Sequence, residues 1–153
     1  MAIIAFDFDG TVCNHKFPSI GEELPGAIAT LKALQENGHK LFLWTMRGHP
    51  DLSRFPHTDK DTGEYIEQDT LQEALDWLAE RGITNIGVNK SPAQFSTSLK
   101  QYAQVYIDDA ALGCPTRWYD SGILGVDWVR VAEGLQLRGL LFKEQVDRIK
   151  NYV

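Results

Sequence analysis

The sequence has few cysteines and no long hydrophobic run. Only Cys13 and Cys114 occur among 153 residues. Two cysteines are too few for a disulfide framework in a chain of this length, so we expect free thiols. No stretch approaches the roughly 20 apolar residues of a membrane-spanning helix. The short apolar N-terminus also lacks the basic leader of a signal peptide. The sequence therefore predicts a cytoplasmic protein without membrane association.

Positive charge is also scarce. Fifteen Lys and Arg residues stand against 21 Asp and Glu residues, which gives a formal net charge of −6. The densest basic stretch, residues 143–150, is typical of the solvated face of a helix. Nonspecific nucleic-acid binding depends on clustered Lys and Arg, so the composition argues against it. The length and the 43% hydrophobic content predict a single domain over residues 1–153.

Apolar runs alternate with helical patterns along the chain. The predicted strands cover residues 3–8, 40–44, 85–88, 105–107 and 128–131. The predicted helices cover residues 25–36, a segment from Asp69 or Thr70 to Gly82, and residues 135–152. Such alternation is typical of a parallel sheet flanked by helices. We therefore expect an α/β fold, a three-layer Rossmann-like domain with a mainly parallel central sheet.

A long polar insertion at about residues 48–68 interrupts this alternation. It contains Pro50, Pro56 and Gly63. Connections longer than about 12–15 residues in a compact domain are often functional. We expect a long loop, or a hairpin in which residues 54–57 pair with residues 64–66.

Two pairs of acidic residues follow two of the predicted strands. Asp7 and Asp9 end the first strand, and Asp108 and Asp109 follow residues 105–107. Ligands collect at the carboxyl ends of parallel strands. Four carboxylates there would repel one another unless a cation bound them, and Mg²⁺ prefers oxygen ligands. The sequence thus predicts a Mg²⁺ site formed by Asp7, Asp9, Asp108 and Asp109, with Asp109 favoured over Asp108 as a direct ligand.

Other strand ends carry residues suited to binding an anion. Thr45 offers a hydroxyl group to a phosphate oxygen, and Lys90 could neutralise a phosphoryl oxygen or an aspartate. Lys100 competes with Lys90 for this role; we favour Lys90 because it directly follows a predicted strand. Arg47, two residues after Thr45, is a candidate substrate contact.

The order of these segments resembles the haloacid dehalogenase-like (HAD) superfamily. Residues 3–12 match its first motif, an apolar strand followed by Asp-x-Asp-Gly-Thr. Thr45, Lys90 and the acidic pair at residues 108–109 match its second, third and fourth motifs. The resemblance extends from residue 3 to about residue 115, and it implies a single HAD-like catalytic domain.

The resemblance implies a Mg²⁺-dependent phosphatase that hydrolyses a phosphomonoester. Asp7 would attack phosphorus and become an aspartyl-phosphate, and Asp9 would serve first as general acid and then as general base. Mg²⁺ would bridge the acids and the phosphate, while Thr45 and Lys90 would hold the remaining oxygens. Dehalogenases of the superfamily lack the acid found at Asp9, so dehalogenation is disfavoured.

The spacing of the motifs also implies a capless member of the superfamily. Residues 13–24 are too few for a cap domain, and residues 45–90 hold no separate domain. An open site suits a macromolecular substrate. A small phosphorylated substrate would instead be enclosed by the insertion or by a second subunit of a homo-oligomer.

Two alternatives share part of this pattern. A phosphoacceptor receiver domain also uses an aspartyl-phosphate, but it carries its acidic pair on the first strand and its acceptor on a middle strand. Here the Asp-x-Asp-Gly-Thr segment comes first and the pair comes late. A catalytically inactive HAD-like binding module is the other alternative, and the presence of residues suited to all four motifs argues against it.

Overall fold

The computed structural model describes residues 1–48, 57–58, 61–66, 68–90, 100–120 and 122–153. The strands within these ranges are β1 (Ile3–Phe6), β2 (Lys40–Leu43), β3 (His57–Thr58), β4 (Tyr65–Ile66), β5 (Gly87–Val88), β6 (Val105–Ile107), β7 (Thr116–Trp118) and β8 (Leu124–Val126). The helices are α1 (Ala27–Glu36), α2 (Thr70–Glu80), α3 (Trp128–Leu137) and α4 (Lys143–Asn151).

A four-stranded parallel sheet lies at the centre of the fold, in the order β5-β2-β1-β6. β1 pairs in parallel with both β2 and β6, and β2 pairs in parallel with β5. All four residues of β1 are buried, as expected of an apolar strand covered on both faces. The predicted α/β fold with a mainly parallel central sheet is confirmed. Because the four strands run in one direction, the residues that follow them share one edge, here called the carboxyl edge.

The first two helices begin and end near the predicted residues. α1 buries an apolar face with Ile28, Leu31 and Leu34, and it contacts both α3 and α4. The side chain of Asp69 accepts a hydrogen bond of 2.9 Å from the backbone N–H of Gln72, so Asp69 is the residue that caps α2. This contact decides between the two predicted caps.

The predictions for the C-terminal third were wrong in two respects. Residues 128–131 form the first turn of α3 and not a strand; the strand is β8, just before them, paired antiparallel with β7. The Asp127 side chain caps this turn by accepting from the N–H of Arg130. The single helix expected over residues 135–152 is two helices, because Gly139 adopts a φ of 69° between α3 and α4.

The described part of the insertion contains a two-stranded antiparallel pairing. β3 pairs antiparallel with β4, and His57 lies opposite Ile66. The predicted pairing is therefore confirmed for residue 57 with residue 66, while residues 49–56, 59–60 and 67 lie outside the described residues. Cys13 and Cys114 are free thiols, as predicted. Across the described ranges, no helix has the length and apolar character needed to cross a membrane.

Candidate active site

Three of the four predicted acids meet at the carboxyl edge. Asp7 follows β1, and Asp108 and Asp109 follow the adjacent strand β6. One carboxylate oxygen from each lies within 4.8 Å of those of the other two. The backbone N–H of Asp7 donates to the carbonyl oxygen of Ile107 over 2.9 Å, which holds the two strand exits together. The cluster follows directly from the parallel pairing of β1 and β6.

The electrostatics of this cluster favour a cation. Burial, reinforced by the charges of Asp108, Asp109 and Asp9, raises the pKa of Asp7 to about 7, against the opposing effect of the Phe8 N–H. Burial and the charge of Asp108 also raise the pKa of Asp109, against a hydrogen bond from Thr11. Neighbouring carboxylates disfavour one another's ionised forms. A divalent cation that takes oxygen ligands would remove this conflict, so the donor set fits Mg²⁺.

Gly10 and Thr11 support Asp109 from the loop after β1. The Thr11 hydroxyl group accepts from the backbone N–H of Asp109 over 3.1 Å and donates to Asp109 Oδ1 over 3.4 Å. Gly10 has a φ of 78°, and a Cβ atom placed on it would lie 2.6 Å from Asp109 Oδ2. Asp108 Oδ1, in turn, accepts from the N–H of Ala110 over 2.8 Å. Asp108 and Asp109 therefore each have one carboxylate oxygen that accepts a hydrogen bond within the protein. These contacts do not distinguish the two residues, so the preference for Asp109 as the direct metal ligand stays a prediction.

Residues of β8 and α3 donate hydrogen bonds to the same loop after β1. The backbone N–H of Val126 donates to the carbonyl oxygen of Gly10 over 3.1 Å. The indole N–H of Trp128 donates to the carbonyl oxygen of Thr11 over 2.6 Å, and Trp128 is completely buried. Both carbonyl groups of the Gly10–Thr11 turn are thus satisfied by residues that the sequence motifs do not include.

Asp9 is paired with Arg47. Arg47 Nε donates to Asp9 Oδ2 over 2.7 Å, and Nη2 donates to Asp9 Oδ1 over 2.8 Å. The acidic cluster found among the described residues contains Asp7, Asp108 and Asp109 but not Asp9. Asp9 as a metal ligand and Arg47 as a substrate contact therefore stay predictions, while the structure joins the two side chains to each other.

Thr45 and Lys90 follow β2 and β5 at the carboxyl edge. Asn89 links the ends of these two strands. Its side-chain Oδ1 accepts a hydrogen bond from the backbone N–H of Thr45 over 2.8 Å, and its backbone N–H donates to the carbonyl oxygen of Leu43 over 2.9 Å. Asn89 adopts a φ of 45°, in the left-handed region that Asn tolerates. Lys90 follows it and is exposed. The competing residue, Lys100, has its Nζ 5.8 Å from the ring centroid of Tyr106 on β6.

A cleft of about 630 Å³ opens beside the exits of β2 and β5. Its apolar lining comes chiefly from Leu71 at the start of α2 and from Ile86 and Val88. Lys90 and Arg47 also line it. The cleft thus joins two of the predicted substrate contacts to an apolar surface.

Comparison with known proteins places the chain in a family. No protein-family model matches the chain, and no curated protein matches it. A solved structure, described as that of a conserved protein coded by a locus from Bacteroides thetaiotaomicron, shares 31% sequence identity with it. The match covers 90% of this chain and 91% of that one, with a TM-score of 0.64. The chain belongs to the family of that protein. The description of the Bacteroides protein names no activity, so a function has to be argued from the site.

The sequence indicated some of these residues but not the contacts that hold them. Asp7, Asp108 and Asp109 are brought together as predicted from their strand ends. Thr11 is part of the recognised motif, but nothing in the motif predicted its hydrogen bonds to Asp109. The sequence did not indicate that Trp128 contacts this loop, because a lone Trp in an apolar run is typical of an ordinary core residue.

Proposed function

We propose that the protein is a Mg²⁺-dependent phosphatase of the HAD-like type, which hydrolyses a phosphomonoester through an aspartyl-phosphate on Asp7. The observation that carries this proposal is the meeting of Asp7, Asp108 and Asp109 at the carboxyl ends of adjacent parallel strands. Thr45 and Lys90, at the ends of the next two strands, add groups that can bind a phosphate.

Asp7 is the nucleophile in this proposal. It attacks phosphorus, the leaving oxygen departs with a proton, and water then hydrolyses the acyl phosphate; two smaller barriers replace one large barrier. Asp7, Asp108 and Asp109 would hold Mg²⁺, which when bound supplies positive charge to offset that of the carboxylates and the phosphate. The Thr45 hydroxyl group and the Lys90 ammonium group bind the other phosphate oxygens.

Asp9 handles the protons. It protonates the leaving oxygen in the first step and takes a proton from the attacking water in the second. A carboxylate that performs both steps has to keep one position relative to the phosphoryl group. Arg47 is in contact with both of its oxygens.

Turnover of 4-nitrophenyl phosphate in the presence of Mg²⁺ tests the proposal. Asp7→Asn keeps the shape of the side chain but removes the nucleophile, so turnover should fall to background while thermal unfolding changes little. Asp147→Asn, an exposed aspartate on α4, is the matched control and should retain full turnover. Near-normal activity of the Asp7 variant would end the aspartyl-phosphate mechanism.

A substrate screen follows from the same assay. Purified protein with Mg²⁺ is tested against phosphorylated sugars, nucleotides, nucleic-acid ends and phosphopeptides, with release of inorganic phosphate as the readout. A long-lived aspartyl-phosphate formed once per chain, without continued phosphate release, would instead indicate a receiver-like switch.

A further inference from the structure

We propose that Arg47 is a positioning residue for Asp9, which it fixes through a two-pronged ion pair, and that it does not bind the phosphate of the substrate. The inference rests on the proposed function, because Asp9 has its proton-transfer role only there. It differs from the role that the sequence predicts for Arg47, which is contact with the substrate.

Arg47 holds Asp9 through two hydrogen bonds, one to each carboxylate oxygen, which together form a fork of fixed geometry. Nε and Nη2 of Arg47 face the two oxygens of Asp9 at 2.7 Å and 2.8 Å. Two parallel N–H···O bonds of this kind determine both the position and the orientation of a carboxylate. A single ammonium group could determine only its distance. Asp9, which lies after β1, is therefore held by a residue that lies after β2, the strand next to β1.

The remaining donors of Arg47 are also engaged. Nη1 donates to the carbonyl oxygens of Pro18 over 3.0 Å and of Thr70 over 3.5 Å. Nη2 donates to the carbonyl oxygen of Ser19 over 2.8 Å. A guanidinium group has five N–H groups, and with the two bonds to Asp9 each has an acceptor within the protein. Contact with a substrate phosphate would require breaking one of these bonds.

Burial and aromatic packing hold the guanidinium group in place. The Arg47 residue is only 1% exposed. Its Cζ lies 5.0 Å from the ring centroid of Phe8 and 5.3 Å from that of Phe17, within the range of cation–π contacts. A flexible substrate-binding arginine would be expected to keep its head group in solvent. These contacts suit a residue that fixes another side chain.

Three separate segments therefore meet at Arg47: residues 8–9, residues 17–19 and the start of α2. Each supplies an acceptor, a ring or both to the guanidinium group. A shift of about 1 Å in a reacting group can slow catalysis by about 100-fold. Loss of the fork should therefore act on the proton transfers of Asp9 and leave substrate affinity intact.

Arg47→Lys tests this inference, with kcat and KM measured on two substrates. Phenyl phosphate needs a proton on its leaving oxygen more than 4-nitrophenyl phosphate does. We expect kcat to fall at least ~10-fold more on phenyl phosphate than on 4-nitrophenyl phosphate, since general acid catalysis contributes about 10²–10⁴-fold. KM should stay within about twofold of wild type on both. Arg81→Lys is the matched control, because Arg81 also stacks on an aromatic ring, that of Trp77, and it should leave kcat unchanged.

A double variant separates positioning from general structural damage. In Asp9→Asn/Arg47→Lys, the loss of kcat should equal that in Asp9→Asn alone, because two residues that act as a unit are not additive. Mg²⁺ binding by calorimetry and thermal unfolding of Arg47→Lys should resemble wild type. If Arg47→Lys does not fold, Asp9→Asn/Arg47→Gln removes both charges together and should again match Asp9→Asn alone.

Two results would overturn the inference without touching the proposed function. One is a KM that rises equally on both substrates, which would make Arg47 a phosphate ligand. The other is an additive loss in the double variant. Failure of the proposed function has a different signature, namely that turnover by the wild-type protein does not depend on Asp7.

Discussion

Gly10→Ala should weaken Mg²⁺ binding in addition to destabilising the fold. A Cβ atom on Gly10 would lie 2.6 Å from Asp109 Oδ2 and 2.8 Å from Asp109 Cγ. Non-bonded heavy atoms are comfortable only at about 3.5–4.0 Å. The Asp109 carboxylate would therefore have to leave its position beside Asp7 and Asp108, and the proposed cation site would lose one of its three acids.

Two separate costs determine the size of the effect. Gly10 has a φ of 78°, and an L-residue in the left-handed region costs roughly 1–2 kcal/mol. In a chain of this length that cost lowers Tm by about 2–8 °C. Displacement of Asp109 adds a loss of Mg²⁺ affinity, which we expect to be at least ~10-fold, comparable to the loss of a supporting partner at other metal sites.

Gly38→Ala is the matched control for this experiment. Gly38 has a φ of 77°, nearly that of Gly10, but no heavy atom of the described residues, apart from its chain neighbours, lies within 4 Å of the position of its Cβ. Its alanine variant should lose the same Tm and keep wild-type Mg²⁺ affinity in isothermal titration calorimetry. If the two variants bind Mg²⁺ equally well, Asp109 is not a ligand of the proposed Mg²⁺ site.

Two further predictions concern protonation and the C-terminal support. Because burial raises the pKa of Asp7 to about 7, Mg²⁺ competes with a proton below that pH, and calorimetry should show affinity rising as pH passes through about 7. In the metal-free protein the folded state holds this proton more tightly than the unfolded state, so the free energy of unfolding should fall as the pH rises from about 4 to about 7 and level off above that; a flat profile in both measurements would contradict the assignment. Trp128→Phe leaves the buried Thr11 carbonyl group without its indole donor, which should cost about 1–3 kcal/mol in urea unfolding. Trp118→Phe, at a residue that is 71% exposed, should lower the free energy of unfolding by less than about 0.5 kcal/mol. If the two variants lose the same free energy of unfolding, the Trp128 hydrogen bond does not stabilise the fold.

The sequence predicted those parts of the site that depend on strand ends. Asp7 and Asp108 each follow a short apolar run, and charged residues directly after buried strands indicate the ligand-binding edge of a parallel sheet. Parallel pairing of β1 with β6 then brings the acids together without further information. The fold class could be predicted for the same reason, because the alternation of apolar runs and helical patterns is clear over the first 90 residues.

Contacts between distant segments could not be predicted in this way. Asp9 and Arg47 are 38 residues apart, and a single arginine after a strand carries no sign of its partner. The error at residues 128–131 has a local cause, since four residues with two apolar side chains and a Trp satisfy the strand period and the helix period equally well. Burial of Trp128, Val131 and Leu135 at helical spacing becomes visible only in the folded chain.

The hydrogen bond from Trp128 to Thr11 has a consequence for the order of assembly. It joins residues 117 positions apart, and such long-range contacts form late because loop closure must come first. During synthesis, the strands of the parallel sheet leave the ribosome before Trp128 does. The nascent chain can therefore begin to form this sheet before α3 docks, and the turn at Gly10 and Thr11 gains its indole hydrogen bond only in that later step.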